Sequence, residues 1–207
     1  MNLKYGCWVF KDQVPVRLCD EILKLGLTLN AAQAQVGGDS PENIDIVKRD
    51  SKVTWFHDDT WIFELINPLI RRANQEAGWN FVYDFPESAQ FTQYKPGQYY
   101  GWHCDSWNEP YNKPDAKVHN KIRKLSSILM LSNQSEYTGG ILQLDARQQD
   151  PEKSTGHEQL IYIDPQIVLL EKGDLLIFPS FMWHRVTPVK SGSRYSLPMW
   201  YVGDPWI

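Results

Sequence analysis

Residues 99–105 read Tyr-Tyr-Gly-Trp-His-Cys-Asp, an aromatic, strand-like run that ends in a His-x-Asp pair. Because side chains alternate along a strand, His103 and Asp105 point to one face and Cys104 to the other. Another histidine follows in Trp-His184-Arg-Val, where a distant strand could bring it to the same face. Two imidazoles and one carboxylate occupy one face of an octahedron and leave three positions open, which suits iron(II). A His-x-Asp pair alone is a weak signal, so this predicted metal site depends on the residues around it.

The chain after residue 80 carries many short, strand-like runs rich in β-branched and aromatic residues. They are 81–85, 89–94, 99–105, 125–132, 140–145, 159–164, 167–170, 174–178, 185–188 and 194–202. Turn-forming pairs such as Pro96-Gly97 and Gly139-Gly140 separate them. Short strands at this spacing favour a sandwich or jelly roll over a parallel α/β sheet. We therefore predict a mainly β fold.

Two helical patterns come before residue 80, each with apolar residues three or four positions apart. The first stripe is Leu18, Ile22, Leu25 and Leu29, and the second is Trp61, Leu65, Leu69 and Ala73. Pro15 lies near the start of the first helix, and Pro68 is expected to kink the second or divide it in two. We expect one domain, 1–207, with a helical support region at 1–80 and a β core at 81–207.

Composition limits the partners and the location. The chain has 207 residues and a formal net charge of -4, with a sequence pI of about 5.7, which argues against a nucleic-acid partner. The three cysteines are too widely spaced for a disulfide framework. No apolar signal segment is found, and no apolar run approaches the roughly 20 residues that span a bilayer. We expect a cytoplasmic protein without a membrane partner, and the sequence does not predict the oligomeric state.

The run 194–200, Arg-Tyr-Ser-Leu-Pro-Met-Trp, follows His184 by ten residues and again alternates. The side chains expected on one face are Arg194, Ser196, Pro198 and Trp200. A buried guanidinium is costly unless it meets an anion, and its planar fork matches a carboxylate. Arg194 therefore predicts a site for an organic acid near the metal, with Ser196 or the phenol of Tyr94 as a further donor. The simpler alternative is a surface arginine paired with an Asp or a Glu.

With these motifs assembled, the chain resembles the prolyl 4-hydroxylase-like group of 2-oxoglutarate/iron(II) oxygenases. The blocks that carry the resemblance are 14–23, 48–74, 93–105, 123–126, 139–140, 173–188 and 192–200. The resemblance extends from residue 14 to residue 200 and so covers most of the chain. The resemblance implies a mainly β fold with supporting N-terminal helices, whose core is a double-stranded β-helix, a cupin-like jelly roll.

The same resemblance assigns roles and cofactors. The implied iron(II) ligands are His103, Asp105 and His184. Arg194 matches the basic residue that binds the far carboxylate of 2-oxoglutarate, and Tyr94 and Ser196 would line that pocket. Trp200 would lie behind this cosubstrate or simply pack in the core. The implied cofactors are Fe(II), 2-oxoglutarate, dioxygen and ascorbate as reductant. The implied reaction converts 2-oxoglutarate to succinate and carbon dioxide while an unactivated C–H bond is hydroxylated.

The resemblance also implies a peptidyl proline as substrate, with the long, polar segment 106–124 as a candidate lid. The residues expected to contact the substrate are Tyr100, Trp107, Tyr111 and Arg123. Trp107 and Tyr111 could instead anchor the segment. The basic residues of 121–124 could meet an acidic substrate, although a solvated loop is the simpler interpretation.

Three alternatives stay open. A free amino acid or another small molecule could be the substrate. A catalytically silent jelly-roll binding module is a second alternative, although the intact triad and Arg194 argue against it. A nucleic-acid demethylase is disfavoured, because that class carries a second arginine where Trp200 stands.

Overall fold

The computed structural model describes residues 5–29, 32–33, 48–57, 59–106, 109–114, 116–145 and 169–206. The helices are α1 (Val16–Thr28) and α2 (Thr60–Glu76), with a 3-10 turn at Gln134–Glu136. The first strands are β1 (Trp8–Phe10), β2 (Ala32–Gln33), β3 (Arg49–Asp50), β4 (Lys52–Phe56), β5 (Phe85–Pro86), β6 (Ala89–Tyr94) and β7 (Tyr99–His103). The remaining strands are β8 (Ile122–Met130), β9 (Tyr137–Gly139), β10 (Leu142–Asp145), β11 (Leu175–Pro179), β12 (Trp183–Val186), β13 (Val189–Gly192) and β14 (Arg194–Gly203).

These strands form two principal sheets and one small one. The larger sheet has eight strands in the order β1-β11-β8-β14-β6-β4-β2, with β5 paired to β14. The second sheet has the order β10-β12-β7-β3, and β13 pairs with β9. A cluster of buried apolar side chains joins the two principal sheets, with Ile128 and Phe178 from the larger one and Leu142 and Val186 from the smaller one. The predicted mainly β fold is confirmed.

Both helices pack on the opposite face of the larger sheet. Their buried residues form one core with the sheet residues Phe91, Leu129 and Leu197. In α1 the backbone at Gly26 comes so close to the Phe91 ring that no side chain fits between them. This packing follows from alternation over 125–130 of β8 and 194–201 of β14, where odd-numbered apolar side chains face the helices and even-numbered side chains face the second sheet.

The structure corrects several details of the helices. The fully buried stripe of α2 is Ile62, Ile66 and Ile70. Of the predicted stripe, Ala73 is buried as expected, but Trp61, Leu65 and Leu69 are only partly buried. Pro68 does not divide the helix, which runs unbroken from Thr60 to Glu76. Leu29 lies just beyond the end of α1 and is exposed.

Several strand bounds also differ from the prediction. Residues 81–84 and 169–170 are not strands, and 159–164 lies outside the described residues. Strands β9 and β13 were missed, and the strand expected at 185–188 begins earlier, at 183. The region before residue 80 is more than helical support, since β4 pairs with β6 in the larger sheet and β3 pairs with β7 in the smaller one. Among the described residues, neither helix is long and apolar enough to cross a membrane.

Candidate metal centre

His103, Asp105 and His184 converge on the face of the smaller sheet that is turned towards the larger one. His103 ends β7, and His184 is its register partner on β12, so strand pairing brings the two imidazoles together. The Nε2 atom of His103 lies 3.7 Å from Oδ1 of Asp105, and Nε2 of His184 lies 3.4 Å from its Oδ2. All three side chains are buried, and their candidate ligand atoms lie within 4.8 Å of one another. The predicted convergence of these three side chains is therefore present.

The backbone fixes which nitrogen each imidazole presents. Nδ1 of His103 lies 2.8 Å from the carbonyl oxygen of Gly101, and Nδ1 of His184 lies 2.9 Å from that of Met182. Because a carbonyl oxygen only accepts hydrogen bonds, both Nδ1 atoms carry the hydrogen in the neutral rings. The lone pair of each Nε2 is then directed towards the shared centre, as in metal-ligating histidines.

A chain of hydroxyls holds the carboxylate of Asp105. The hydroxyl of Ser126 on β8 donates to Oδ2 of Asp105 at 2.7 Å. Ser180 lies 2.8 Å from Ser126, and its carbonyl oxygen accepts from the backbone N–H of Asp105. Asp105 lies two residues past the end of β7, so these bonds, and not the sheet ladder, orient its side chain.

The electrostatics keep His103 and Asp105 in metal-binding protonation states. Burial lowers the pKa of His103 well below its usual value, and the neighbouring His184 lowers it further. Burial alone would raise the pKa of Asp105, but the two histidines, Arg123 and one hydrogen bond bring it down to about 2. At neutral pH His103 is therefore neutral and Asp105 is ionised. Two nitrogens and one oxygen, without a thiolate, form a donor set that fits iron(II).

Arg194 is a buried cation in the same cavity. Its side chain is 2% exposed, its Nη1 donates to Oγ of Ser196 at 3.1 Å, and its Nη2 lies 3.4 Å from the sulfur of Met130. Its Nε has no hydrogen-bond partner. Across the described parts of the chain, no carboxylate pairs with this guanidinium. The alternative of a surface arginine paired with an acid is therefore wrong, and the residues fit an anionic ligand.

One cavity of about 780 Å³ joins the His-Asp-His group to Arg194. The other lining residues that the sequence singled out are Tyr94, Tyr100, Tyr111, Arg123, Ser196, Pro198 and Trp200. The alternate face predicted for residues 194–200 is thus the face of the cavity. Trp107 lies outside the described residues. The ring of Tyr94, the register partner of Arg194, has its centre 5.6 Å from the guanidinium carbon.

A stack of three side chains forms one wall beside the metal centre. The ring of Tyr100 lies flat against the imidazole of His103, with centroids 3.5 Å apart. On strand β3, Arg49 places its guanidinium carbon 4.5 Å from the Tyr100 ring centre. Burial raises the pKa of Tyr100 to about 12, so its phenol stays protonated at neutral pH. Tyr100 thus limits the freedom of the His103 ring from the cavity side.

A second wall contains an ion pair. Arg123 donates from Nε and Nη2 to the two carboxylate oxygens of Glu87, at 3.0 and 2.6 Å. The hydroxyl of Tyr111 donates to the same carboxylate at 2.9 Å, and the Arg123 guanidinium covers the Trp200 ring at 3.9 Å. Trp200 is therefore a cavity wall and not only core packing. Tyr111 both lines the cavity and anchors the segment that follows residue 106.

The interpretation of 121–124 as a solvated basic loop is wrong. Residues 122–124 belong to β8. Lys121 pairs with Asp84 and Asp204, and Lys124 is 4% exposed with its ammonium 3.5 Å from the Trp206 ring centre. These charges are held by neighbouring side chains, which the local sequence does not reveal.

Several residues of the site were missed from the sequence. They are Arg49, Glu87, Ser180 and Trp55, whose ring lies 6.1 Å from that of Trp200. Ser126 lay in a matching block, but its bond to Asp105 depends on strand register. Glu87 carried no signal, because a lone acid after a Phe-Pro pair is ordinary.

Comparisons with known proteins agree with this geometry. A family model described as the 2OG-Fe(II) oxygenase superfamily matches residues 89–202, more than half of the chain. A PKHD-type hydroxylase of Synechococcus elongatus is 31% identical over 121 residues, which are 57% of this chain and 45% of that protein. The chain thus spans less than half the length of such curated relatives.

Solved structures share the architecture. A prolyl-4-hydroxylase of Pseudomonas putida gives a TM-score of 0.67 at 18% identity and covers 95% of this chain and 92% of that one. A prolyl hydroxylase from Trichoplax adhaerens, in complex with a hypoxia inducible factor peptide fragment, gives 0.64 at 20% identity, over 95% and 83% of the two chains. At these identities the likeness establishes the fold, and the predicted double-stranded β-helix is confirmed.

Proposed function

Because the chain belongs to the 2OG-Fe(II) oxygenase superfamily, we propose that it is a 2-oxoglutarate- and iron(II)-dependent dioxygenase that hydroxylates an unactivated C–H bond of a peptidyl proline. The observation that carries this proposal is that one cavity holds both the His-Asp-His group and the guanidinium of Arg194, which pairs with no carboxylate among the described residues. A metal site alone would fit many reactions. A metal site facing a buried cation without a carboxylate partner fits a cosubstrate that is both a chelator and a dicarboxylate.

In this proposal His103, Asp105 and His184 hold the iron. The bound iron, 2-oxoglutarate and dioxygen supply the oxidising chemistry, in which the cosubstrate is decarboxylated to succinate and the substrate gains an oxygen atom. Three protein ligands would leave the metal able to take the cosubstrate and dioxygen as further ligands. Ascorbate is proposed only as the reductant that keeps the iron ferrous.

Arg194 would bind the far carboxylate of 2-oxoglutarate. Hydrogen bonds to charged groups contribute roughly 1.5–3 kcal/mol each, and the side chain is already positioned by Ser196 and Met130. Ser196 and Tyr94 would complete the pocket, since both line the cavity beside Arg194. Trp200 would close its side. A buried cation that awaits its anion explains why the unpaired Nε is tolerated.

The peptidyl proline is the finer part of the proposal. A neighbour with this fold, the Trichoplax adhaerens prolyl hydroxylase, was solved with a peptide fragment, and the cavity here opens beside Trp55, Phe85 and Pro86, side chains suited to an apolar ring. Tyr100, Tyr111 and Arg123 would contact the residue that enters. Cytoplasmic location and the absence of nucleic-acid and membrane partners stay predictions from the sequence.

The proposal is tested first without any substrate. The purified protein with Fe(II), ascorbate and 2-oxoglutarate should form succinate slowly in the presence of oxygen, and His103→Ala should lose this activity. His119→Ala is the matched control, because that histidine is not among the residues that line the cavity. If iron-loaded H103A forms succinate at the rate of the unmodified protein, the ligand assignment is wrong.

The substrate class is tested separately. Proline-rich peptides, free proline and free lysine are incubated with the complete cofactor set and analysed by mass spectrometry for the gain of one oxygen atom. A gain on peptidyl proline supports the proposal. A gain only on a free amino acid replaces the peptide with a small molecule, and succinate without any hydroxylated product leaves the substrate class open to a wider screen.

A further inference from the structure

Exposed lysines surround the mouth of the cavity. We call Lys48, Lys113 and Lys117 the lysine rim, since all three are exposed and all three line the cavity. The whole chain carries a net charge of -4, so this positive charge is a local feature. Clefts lined by one sign of charge raise the local concentration of ligands of the opposite sign.

The carboxylates of the same cavity are engaged by other groups. Among the described lining residues they are Glu87 and Asp105. Glu87 accepts hydrogen bonds from Nε and Nη2 of Arg123 and from the hydroxyl of Tyr111. Asp105 belongs to the candidate metal centre. Neither one balances the lysine rim.

Lys117 shows the unbalanced charge most directly. Its ammonium lies 4.1 Å from the centre of the Phe85 ring, and of the carboxylates that the structure describes, none forms an ion pair with it. Lys48 and Lys113 are exposed on the same cavity and interact with other groups as well. The Lys117 side chain is exposed, so its cation remains available to an incoming anion.

The rim lies beside an apolar surface. Trp55 is 40% exposed, and Phe85 and Pro86 line the same mouth. Cations next to aromatic rings fit a chain that alternates apolar and acidic side chains better than they fit a small, uniformly charged molecule. A polypeptide can place its apolar residue in the cavity and its acidic neighbours on the lysines.

We propose that the substrate is a peptide segment with acidic side chains close to the residue that enters the cavity, selected by the lysine rim. This inference rests on the proposed function, because it names the substrate class of the same site. The overall acidity of the chain would repel such a peptide elsewhere, so the rim also directs it to the mouth.

Binding is measured first, because it does not depend on turnover. Three fluorescent peptides share one central Ala-Pro-Gly core and carry Glu, Ser or Lys flanks, and fluorescence anisotropy follows their binding to the protein loaded with Mn(II) and 2-oxoglutarate. We expect the Glu peptide to bind roughly tenfold more tightly than the Lys peptide, because exposed attractions between its flanks and the rim lysines become repulsions in the Lys peptide. The difference should shrink as salt is added. A single-stranded oligonucleotide of equal charge is the fourth ligand.

Charge reversal links the preference to the rim. Lys117→Glu should reduce the Glu-over-Lys preference by roughly threefold or more, whereas Lys24→Glu, an exposed lysine on α1 away from the cavity, should leave it unchanged. Thermal melting confirms that each variant is folded.

The outcomes separate this inference from the proposed function. Equal binding of the three peptides, or tighter binding of the oligonucleotide, would overturn the acidic peptide even if succinate formation persists. A Glu preference that K117E does not change would overturn the role of the rim. A Glu preference with no succinate formation supports the role of the rim and contradicts the proposed oxygenase activity.

Discussion

The hydroxyl of Ser126 donates to Oδ2 of Asp105 at 2.7 Å, and that same oxygen lies 3.4 Å from Nε2 of His184. A strand of the larger sheet therefore orients a carboxylate that serves the centre on the smaller sheet. Without this bond the carboxylate would keep its charge but lose its fixed direction. Loss of such a hydrogen-bonding partner typically lowers metal affinity about 10–100-fold.

Ser126→Ala should therefore weaken metal binding by roughly 10-fold or more. Mn(II) titration by calorimetry measures the affinity without turnover. Ser127→Ala is the matched control, since the neighbouring hydroxyl bonds the carbonyl of Met199 and not Asp105. Equal affinities in S126A and S127A would show that Asp105 needs no support from β8.

Gly140 determines where Arg194 can lie. It has a φ of +57°, and a Cβ there would lie 3.0 Å from Cδ of Arg194 and from Cγ2 of Val189. Gly140→Ala should displace the guanidinium and raise the 2-oxoglutarate concentration for half-maximal succinate formation roughly tenfold, with metal affinity unchanged. Gly97→Ala, with a φ of +88° and nothing within 4 Å of the added Cβ, shares the backbone strain without the contact. If both variants shift the half-maximal concentration equally, strain and not the contact is responsible.

The sequence could predict these positions only in part. Positions set by neighbouring residues in the chain could be inferred, whereas those set by contacts between distant residues could not. The alternate residues of 194–200 are set by local strand alternation, so their shared face could be inferred. Asp105 lies past the end of β7 and takes its direction from Ser126 and Ser180, a cause that alternation does not contain. The bond between Arg123 and Glu87 joins residues 36 positions apart, and no local pattern encodes which acid a given arginine meets.

Other differences have equally physical causes. The buried stripe of α2 was misassigned because two adjacent apolar stripes, beginning at Trp61 and at Ile62, both satisfy helical spacing. The pairing of β3 with β7 was missed because a two-residue strand has no detectable period. That short strand carries Arg49, the residue that covers Tyr100.

Gly26 tests the packing of α1 against the larger sheet. A Cβ at this position would lie 2.4 Å from the Phe91 ring, and that ring is fixed between Phe56 and Tyr195. Gly26→Ala gains about 1 kcal/mol of helix propensity but overpacks the core, which costs about 1–3 kcal/mol. We expect a lower free energy of unfolding in urea. Gly6→Ala, whose Cβ would only touch Met182 at 3.6 Å, is the control and should change little. A more stable G26A would mean that α1 moves away from the sheet at little cost.

Arg194→Met separates stability from ligand binding. The buried guanidinium lacks a carboxylate partner among the described residues, and an uncompensated buried charge costs several kcal/mol (order of magnitude). Methionine keeps most of the apolar volume without the charge, so the ligand-free variant should melt at the same or a higher temperature. With Mn(II) present, added 2-oxoglutarate should no longer raise that temperature, because the hydrogen bonds to its carboxylate are lost.

The control for this prediction is Arg185→Met, on strand β12. Arg185 donates to Gln143 at 2.6 Å and covers the Trp102 ring, outside the cavity lining. Its loss should lower the melting temperature slightly and leave the stabilisation by 2-oxoglutarate intact. If R194M instead melts well below the unmodified protein and is still stabilised by 2-oxoglutarate, Arg194 is a structural residue and the cosubstrate binds elsewhere. The two substitutions are expected to change the melting temperature of the ligand-free protein in opposite directions. The comparison is decisive because a residue kept for its ligand lowers stability while the ligand is absent.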